Sequence, residues 1–161
     1  MQLESQDQKR LLAAEGYMEL GMYLDAIEEL EAFPKEFAAS PQVLSLWMEA
    51  YRGLKKWGAM QAVARKLAED DPDNVQWAIS WAYATRRAES LQAAREILLE
   101  ALERHPKEAL VYYNLACYDC QLEELASARG FLGRALEISP GFRAMALEDS
   151  DLKALHPELK V

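Results

Sequence analysis

The 161 residues, 51% hydrophobic and 28% charged, suffice for one ordinary core or a short stack of repeats, and they argue against disorder. A net charge of −9 without a basic run disfavours nucleic-acid binding, and two cysteines are too few for a disulfide framework. The opening MQLESQDQKRLL has no basic stretch leading into an apolar core, and no run of about 18 apolar residues follows, so a reduced, cytoplasmic chain without a membrane span is expected.

The first predicted helix carries Leu11, Leu12, Ala14, Tyr17 and Met18 at amphipathic spacing and breaks at Gly21. A second, roughly Leu24 to Phe33, sets Ala26, Ile27, Leu30 and Phe33 against Asp25, Glu28, Glu29 and Glu31, and Pro34 ends it early. Ser40-Pro41 caps the next helix, which carries Val43, Leu44, Leu46, Trp47, Ala50 and Tyr51. After an Arg52-Gly53 turn comes a helix with Trp57, Met60, Val63, Ala64 and Leu67. The pattern then recurs with Val75, Ala78, Ile79, Trp81 and Ala82, followed by Leu91, Ala94, Ile97, Leu98 and Ala101. It recurs again with Leu110, Val111, Tyr112, Leu115 and Ala116, followed by Leu125, Ala128, Phe131, Leu132 and Ala135.

Pro72, Pro106 and Pro140 close three of these units at intervals of 34 residues, and the same step links Ala26, Met60, Ala94 and Ala128. A fixed period of that size signals stacked helical hairpins. Four units are expected, about 7–40, 41–74, 75–108 and 109–142, in one domain spanning 1–161. A capping helix over about 142–155, with a break near Asp149 to Asp151, should cover the apolar end. Residues 156–161 are read as a frayed tail.

These units resemble tetratricopeptide repeats. The fourth carries the pattern in Tyr112, Leu115, Ala116, Ala128, Leu132, Ala135 and Pro140, departing from it at Asp119, where an aromatic is usual. The third departs at Thr85, and the second places Met48 and Met60 where small residues are asked for. The resemblance covers most of the chain and implies an all-α, right-handed superhelical α-solenoid of tandem helix–turn–helix repeats. The ending EDSDLKALHP is similar to an acidic D-x-D-L-x-x-L ending found in bacterial proteins of this class.

The resemblance further implies that the first helix of each repeat lines a concave groove for a peptide or helix of a partner. Its groove positions fall on Leu12, Leu46, Glu49, Arg52, Ile79, Tyr83, Arg86, Arg87, Tyr113, Asn114 and Cys117, among others. Arg52, Arg86 and Arg87 concentrate positive charge in an acidic chain, and Tyr83 and Tyr113 add flat contact surface, which suits a mixed apolar–acidic segment of a protein partner. The carboxylate clamp of chaperone-docking relatives is not built, since Leu11, Glu15, Leu46, Gln76 and Ser80 occupy its places.

Cys117 and Cys120 form a C-x-x-C inside a predicted helix rather than at its N-terminus, so packed thiols are expected and no redox or metal site. No nucleophile motif, phosphate loop or metal-ligand set is present. The expected function is therefore a non-catalytic adaptor or scaffold without cofactor, nucleic-acid, membrane or small-molecule ligand. A chaperone for a secreted or assembling protein is the alternative, and a self-associating structural protein the next.

Overall fold

A computed structural model describes residues 5–160, and among these every regular element is a helix. The chain divides between Ala84 and Thr85 into two compact units. The first holds α1 (Ser5–Glu19), α2 (Tyr23–Glu31), α3 (Pro41–Gly53), α4 (Trp57–Asp70) and most of α5 (Val75–Ala88). The second holds the last turn of α5, then α6 (Leu91–Arg104), α7 (Ala109–Gln121), α8 (Leu125–Ile138) and α9 (Phe142–Glu148). A 3-10 helix (Ser150–Leu155) and α10 (His156–Leu159) complete it. None of these helices is long and apolar enough to cross a membrane.

The period is visible in how helices stop. α4, α6 and α8 are each 14 residues long and are followed by the C-cap residues Asp71, His105 and Ser139, which precede the three prolines. Proline disfavours α geometry in the residue preceding it. Accordingly these three have ψ of 76°, 61° and 86°, while each still donates its N–H back to the helix, to Leu67, Ala101 and Ala135. α2 has only 9 residues and stops before Pro34, so a run of turns fills the connector to Ser40. There Ser40 Oγ accepts from Val43 N at 3.4 Å and starts α3.

The turns inside the hairpins share one hydrogen-bond pattern. Met22 N donates to Tyr17 O, Lys56 N to Tyr51 O and Glu124 N to Asp119 O, while Gly21, Lys55 and Glu123 reach back three residues. Those three residues have φ of 70°, 56° and 63°, the left-handed conformation that this helix ending requires. The expected turn at Arg52-Gly53 is thus displaced: Gly53 is the last residue of α3, and Lys55 makes the bend. Gly53 serves close approach, because a Cβ there would collide with the Tyr23 ring. The third repeat differs, ending α5 with Glu89 and Ser90 both donating to Thr85 O.

Inside the first unit, Leu11, Ala14, Leu30, Phe33 and Val43 form one buried cluster, with Leu46 and Trp47 packed against it. Met48, Met60, Ala64, Leu67 and Ala84 form another. Both methionines that replace small residues are therefore core, filling space that alanine leaves elsewhere. In the second unit Ala116 and Ala128 are fully buried, as small residues must be where two helix backbones approach.

The C-terminus keeps one expectation and departs from another. The break falls where it was expected: α9 stops at Glu148, and the Asp149 side chain accepts from Asp151 N at 2.9 Å and starts a segment that is 3-10 rather than α. The tail read as frayed contains α10, with Leu159 buried at its end and its carbonyl accepting from Arg143 at 3.0 Å. Leu152, Leu155 and Leu159 recur at helical spacing and give this segment its own apolar face.

Candidate peptide-binding faces

In the first unit, α1, α3 and α5 present the residues expected to line a groove. Gln42 on α3 donates to Glu15 on α1 at 3.5 Å, so the corresponding faces of these two helices adjoin. One turn further along α3 lie Leu46 and Glu49, then Arg52. Arg52 pairs with Glu49 at 3.4 Å, both side chains being substantially exposed, and its guanidinium lies 5.7 Å from the centre of the Tyr83 ring. The edge of Trp57 supports the same ring at a centroid distance of 5.7 Å. Arg52 Nε is buried without a hydrogen-bond partner. Ile79, half-buried, lies one turn before Tyr83 on α5. Leu12, at the α1 position equivalent to Leu46, is 67% exposed. The structure thus joins Arg52, Glu49 and Tyr83 into an aromatic–cation platform, while Leu12, Leu46 and Ile79 leave apolar surface on α1, α3 and α5.

In the second unit the expected groove residues meet a segment of the chain itself. Arg86 donates to both carboxylate oxygens of Asp151, at 2.5 and 3.1 Å, and its guanidinium stacks over Tyr118 at 5.4 Å. Tyr113 donates its hydroxyl to Asp149 at 2.8 Å, and the Cys117 thiol donates to the same carboxylate oxygen at 3.7 Å. Gln121 donates to the Asp151 carbonyl at 3.0 Å. Tyr113 and Cys117 are consequently buried rather than groove-lining. Burial, followed by the hydrogen bond to Asp149, pushes the Tyr113 hydroxyl well above its ordinary pKa. Burial, followed by the charges of Asp149 and Asp151, does the same to the Cys117 thiol. The hydrogen bonds that it donates to Asp151 hold the Arg86 guanidinium above its ordinary pKa.

Cys117 and the two aspartates bring their donor atoms within 4.8 Å of one another, and Arg86 supplies positive charge beside them. Cys120 is also a buried free thiol. Asn114 is half-buried on α7, while Arg87 is exposed at the last turn of α5.

The aspartates were missed as site residues because they read as the acidic part of a cap. The available signal was the D-x-D-L-x-x-L pattern, whose two acids and first leucine are Asp149, Asp151 and Leu152.

No family model and no curated protein sequence matches the chain. Solved structures do. One described as "MamA MSR-1 C2" superposes with a TM-score of 0.67 at 21% identity over 81% of this chain and 75% of that one. A second, "MamA RS-1 ArsTM double mutant", gives a TM-score of 0.71 at 13% identity over 86% and 78%. The fold is that of tetratricopeptide repeats. It is an all-α solenoid type built from the helical hairpins described above. At these identities the likeness concerns backbone architecture and carries no residue of either face.

Proposed function

We propose that the chain is a non-catalytic adaptor that holds a mixed apolar–acidic segment of a protein partner on the α1–α3–α5 face of its first unit. The observation that carries this reading is the platform of Arg52 over Tyr83; the incompletely buried Leu12, Leu46 and Ile79 on α1, α3 and α5 support it. A guanidinium stacked on an aromatic ring keeps its N–H donors in fixed directions for a carboxylate. Exposed or half-exposed apolar side chains on these helices favour a segment carrying Leu, Ile or Phe next to its acid. The net charge of −9 sharpens the selection, because a partner acid finds attraction at Arg52 and repulsion over much of the remaining surface.

Selection of a displayed random-peptide library on the full chain tests this. The expected outcome is enrichment of segments with Asp or Glu flanked by large apolar residues, lost with Arg52→Glu and weakened with Tyr83→Ala. Enrichment of basic peptides, or of peptides indifferent to Arg52, counts against the reading.

A further inference from the structure

Arg52 and Arg86 stand 34 residues apart, at one register of successive repeats. Each lays its guanidinium over a tyrosine of the following first helix, Arg52 over Tyr83 and Arg86 over Tyr118. The two differ in their acid. Arg52 pairs with Glu49 of its own helix, whereas Arg86 is occupied by Asp151 from the C-terminal segment.

That segment has the character of a bound ligand. It reaches α7 through Asp149 with Tyr113 and Cys117 and through the Asp151 carbonyl with Gln121, and it reaches the last turn of α5 through the Asp151 carboxylate with Arg86. Glu158 adds a pair with Arg129 at 2.7 Å. Its apolar anchors are Leu152 and Leu155, both almost wholly buried. It is separated from α9 by the extended Asp149 and runs for six residues as a 3-10 helix, a geometry rarely sustained beyond about 3–4 residues because its hydrogen bonds are poorly aligned. The ion pair that pins it is about a quarter exposed on each side, so competing carboxylates and water can reach it. Little regular backbone structure would be lost on lifting it.

We propose that the α7 face with Arg86 is a second docking site, kept shut in cis by residues 149–155, and that a partner segment of Asp-x-Asp-Leu-x-x-Leu chemistry opens it by displacing them. The occupant is identified by what already sits there: one acid for Arg86, one for the Tyr113 hydroxyl, and two leucines for the apolar floor. The site is distinct from the Arg52 platform and does not depend on it.

The chain offers a reversible lock for the test. Cys120 sulfur accepts a hydrogen bond from the Ala154 backbone N–H. Ala154→Cys therefore sets a second thiol beside Cys120, across the segment and α7. A fluorescein-labelled peptide with the sequence of residues 148–160 is titrated into full-length Ala154→Cys, oxidised and reduced. The reduced chain is expected to bind saturably and the oxidised chain at least about tenfold more weakly, since locking removes the competent population. Weakening the cis segment with Leu152→Ala should tighten binding, and Arg86→Glu should abolish it. Arg52→Glu should leave it unchanged.

Binding lost with Arg52→Glu but kept with Arg86→Glu would place the peptide on the first unit's platform and overturn the proposal. A native-chain measurement decides the matter if the disulfide fails to form or Leu152→Ala fails to fold. Hydrogen exchange should show residues 150–159 opening well before α7 and α8. Exchange of that segment only together with α7 and α8 overturns the proposal.

Discussion

Asp119 stands where the repeat pattern asks for an aromatic ring, and it is completely buried. Arg95 on α6 donates to it at 2.5 and 3.4 Å, and Ser127 on α8 donates at 2.5 Å. One carboxylate thus ties three helices of the second unit together where a ring would only fill space. The cost of removing a partner depends on which charge is stranded. Asp119→Ala leaves Arg95, whose side chain is 22% exposed and can turn toward water. Arg95→Ala leaves a carboxylate with no exposure and only a serine donor. Breaking a buried pair in that way costs about 3–5 kcal/mol, and the partly wet arginine puts this case near the lower end. Urea denaturation should therefore rank Arg95→Ala below Asp119→Ala in stability. The double variant Arg95→Met/Asp119→Leu should recover most of the loss, because well-packed apolar residues can replace such a pair. Equal losses for the two single changes would show that the burial of the carboxylate does not set the cost.

The helix endings explain which features of each element can be read from residue types. Pro72, Pro106 and Pro140 act locally and on the residue before them, so the ends of α4, α6 and α8 follow from sequence alone. The left-handed residue of each turn is less legible: Gly21 advertises it, whereas Lys55 and Glu123 adopt it against their own preference. A non-glycine residue in that conformation costs roughly 1–2 kcal/mol, and glycine returns roughly 0.5–1 kcal/mol of this as unfolded-state entropy. Lys55→Gly and Glu123→Gly should therefore each stabilise the chain by about 0.5–1 kcal/mol. A fall in chemical-denaturation midpoint for either would mean that its side chain contributes more than its backbone loses. The same division runs through the candidate sites. Arg52 and Tyr83 meet because repeat register alone brings their helix faces together. The filling of the α7 face depended on the extended Asp149 and its cap on the 3-10 helix, a device that leaves no trace in residue types beyond the short D-x-D-L-x-x-L pattern. Arg86, Tyr113 and Cys117 were selected by register and then buried by a segment whose path register does not specify.

At the scale of the whole molecule, the buried thiols couple stability to pH. Cys117 and Cys120 both have pKa values raised above the ordinary thiol range, burial being the first cause for each. A raised folded-state value means that the folded chain holds its proton to higher pH than the unfolded chain. Below the ordinary thiol value of about 8.5 the two states bind equally and stability is unaffected. Above it the unfolded chain releases protons first, so stability falls as pH climbs. Tyr113 adds a second decline of the same sign once pH passes about 10, the ordinary phenol value. Thermal unfolding of the wild-type chain should therefore shift to lower temperature from about pH 8.5 upward. The Cys117→Ala/Cys120→Ala variant should keep a flat profile until the tyrosine range begins. An unaltered slope in that variant would assign the decline to other groups. The decline should also be uneven along the chain, because Cys117 can ionise once the segment lifts, and a thiolate 3.7 Å from the Asp149 carboxylate would oppose its return. The lead of residues 150–159 over α6 and α8 in hydrogen exchange should consequently widen at alkaline pH, and that widening should be lost when Cys117 is replaced by alanine.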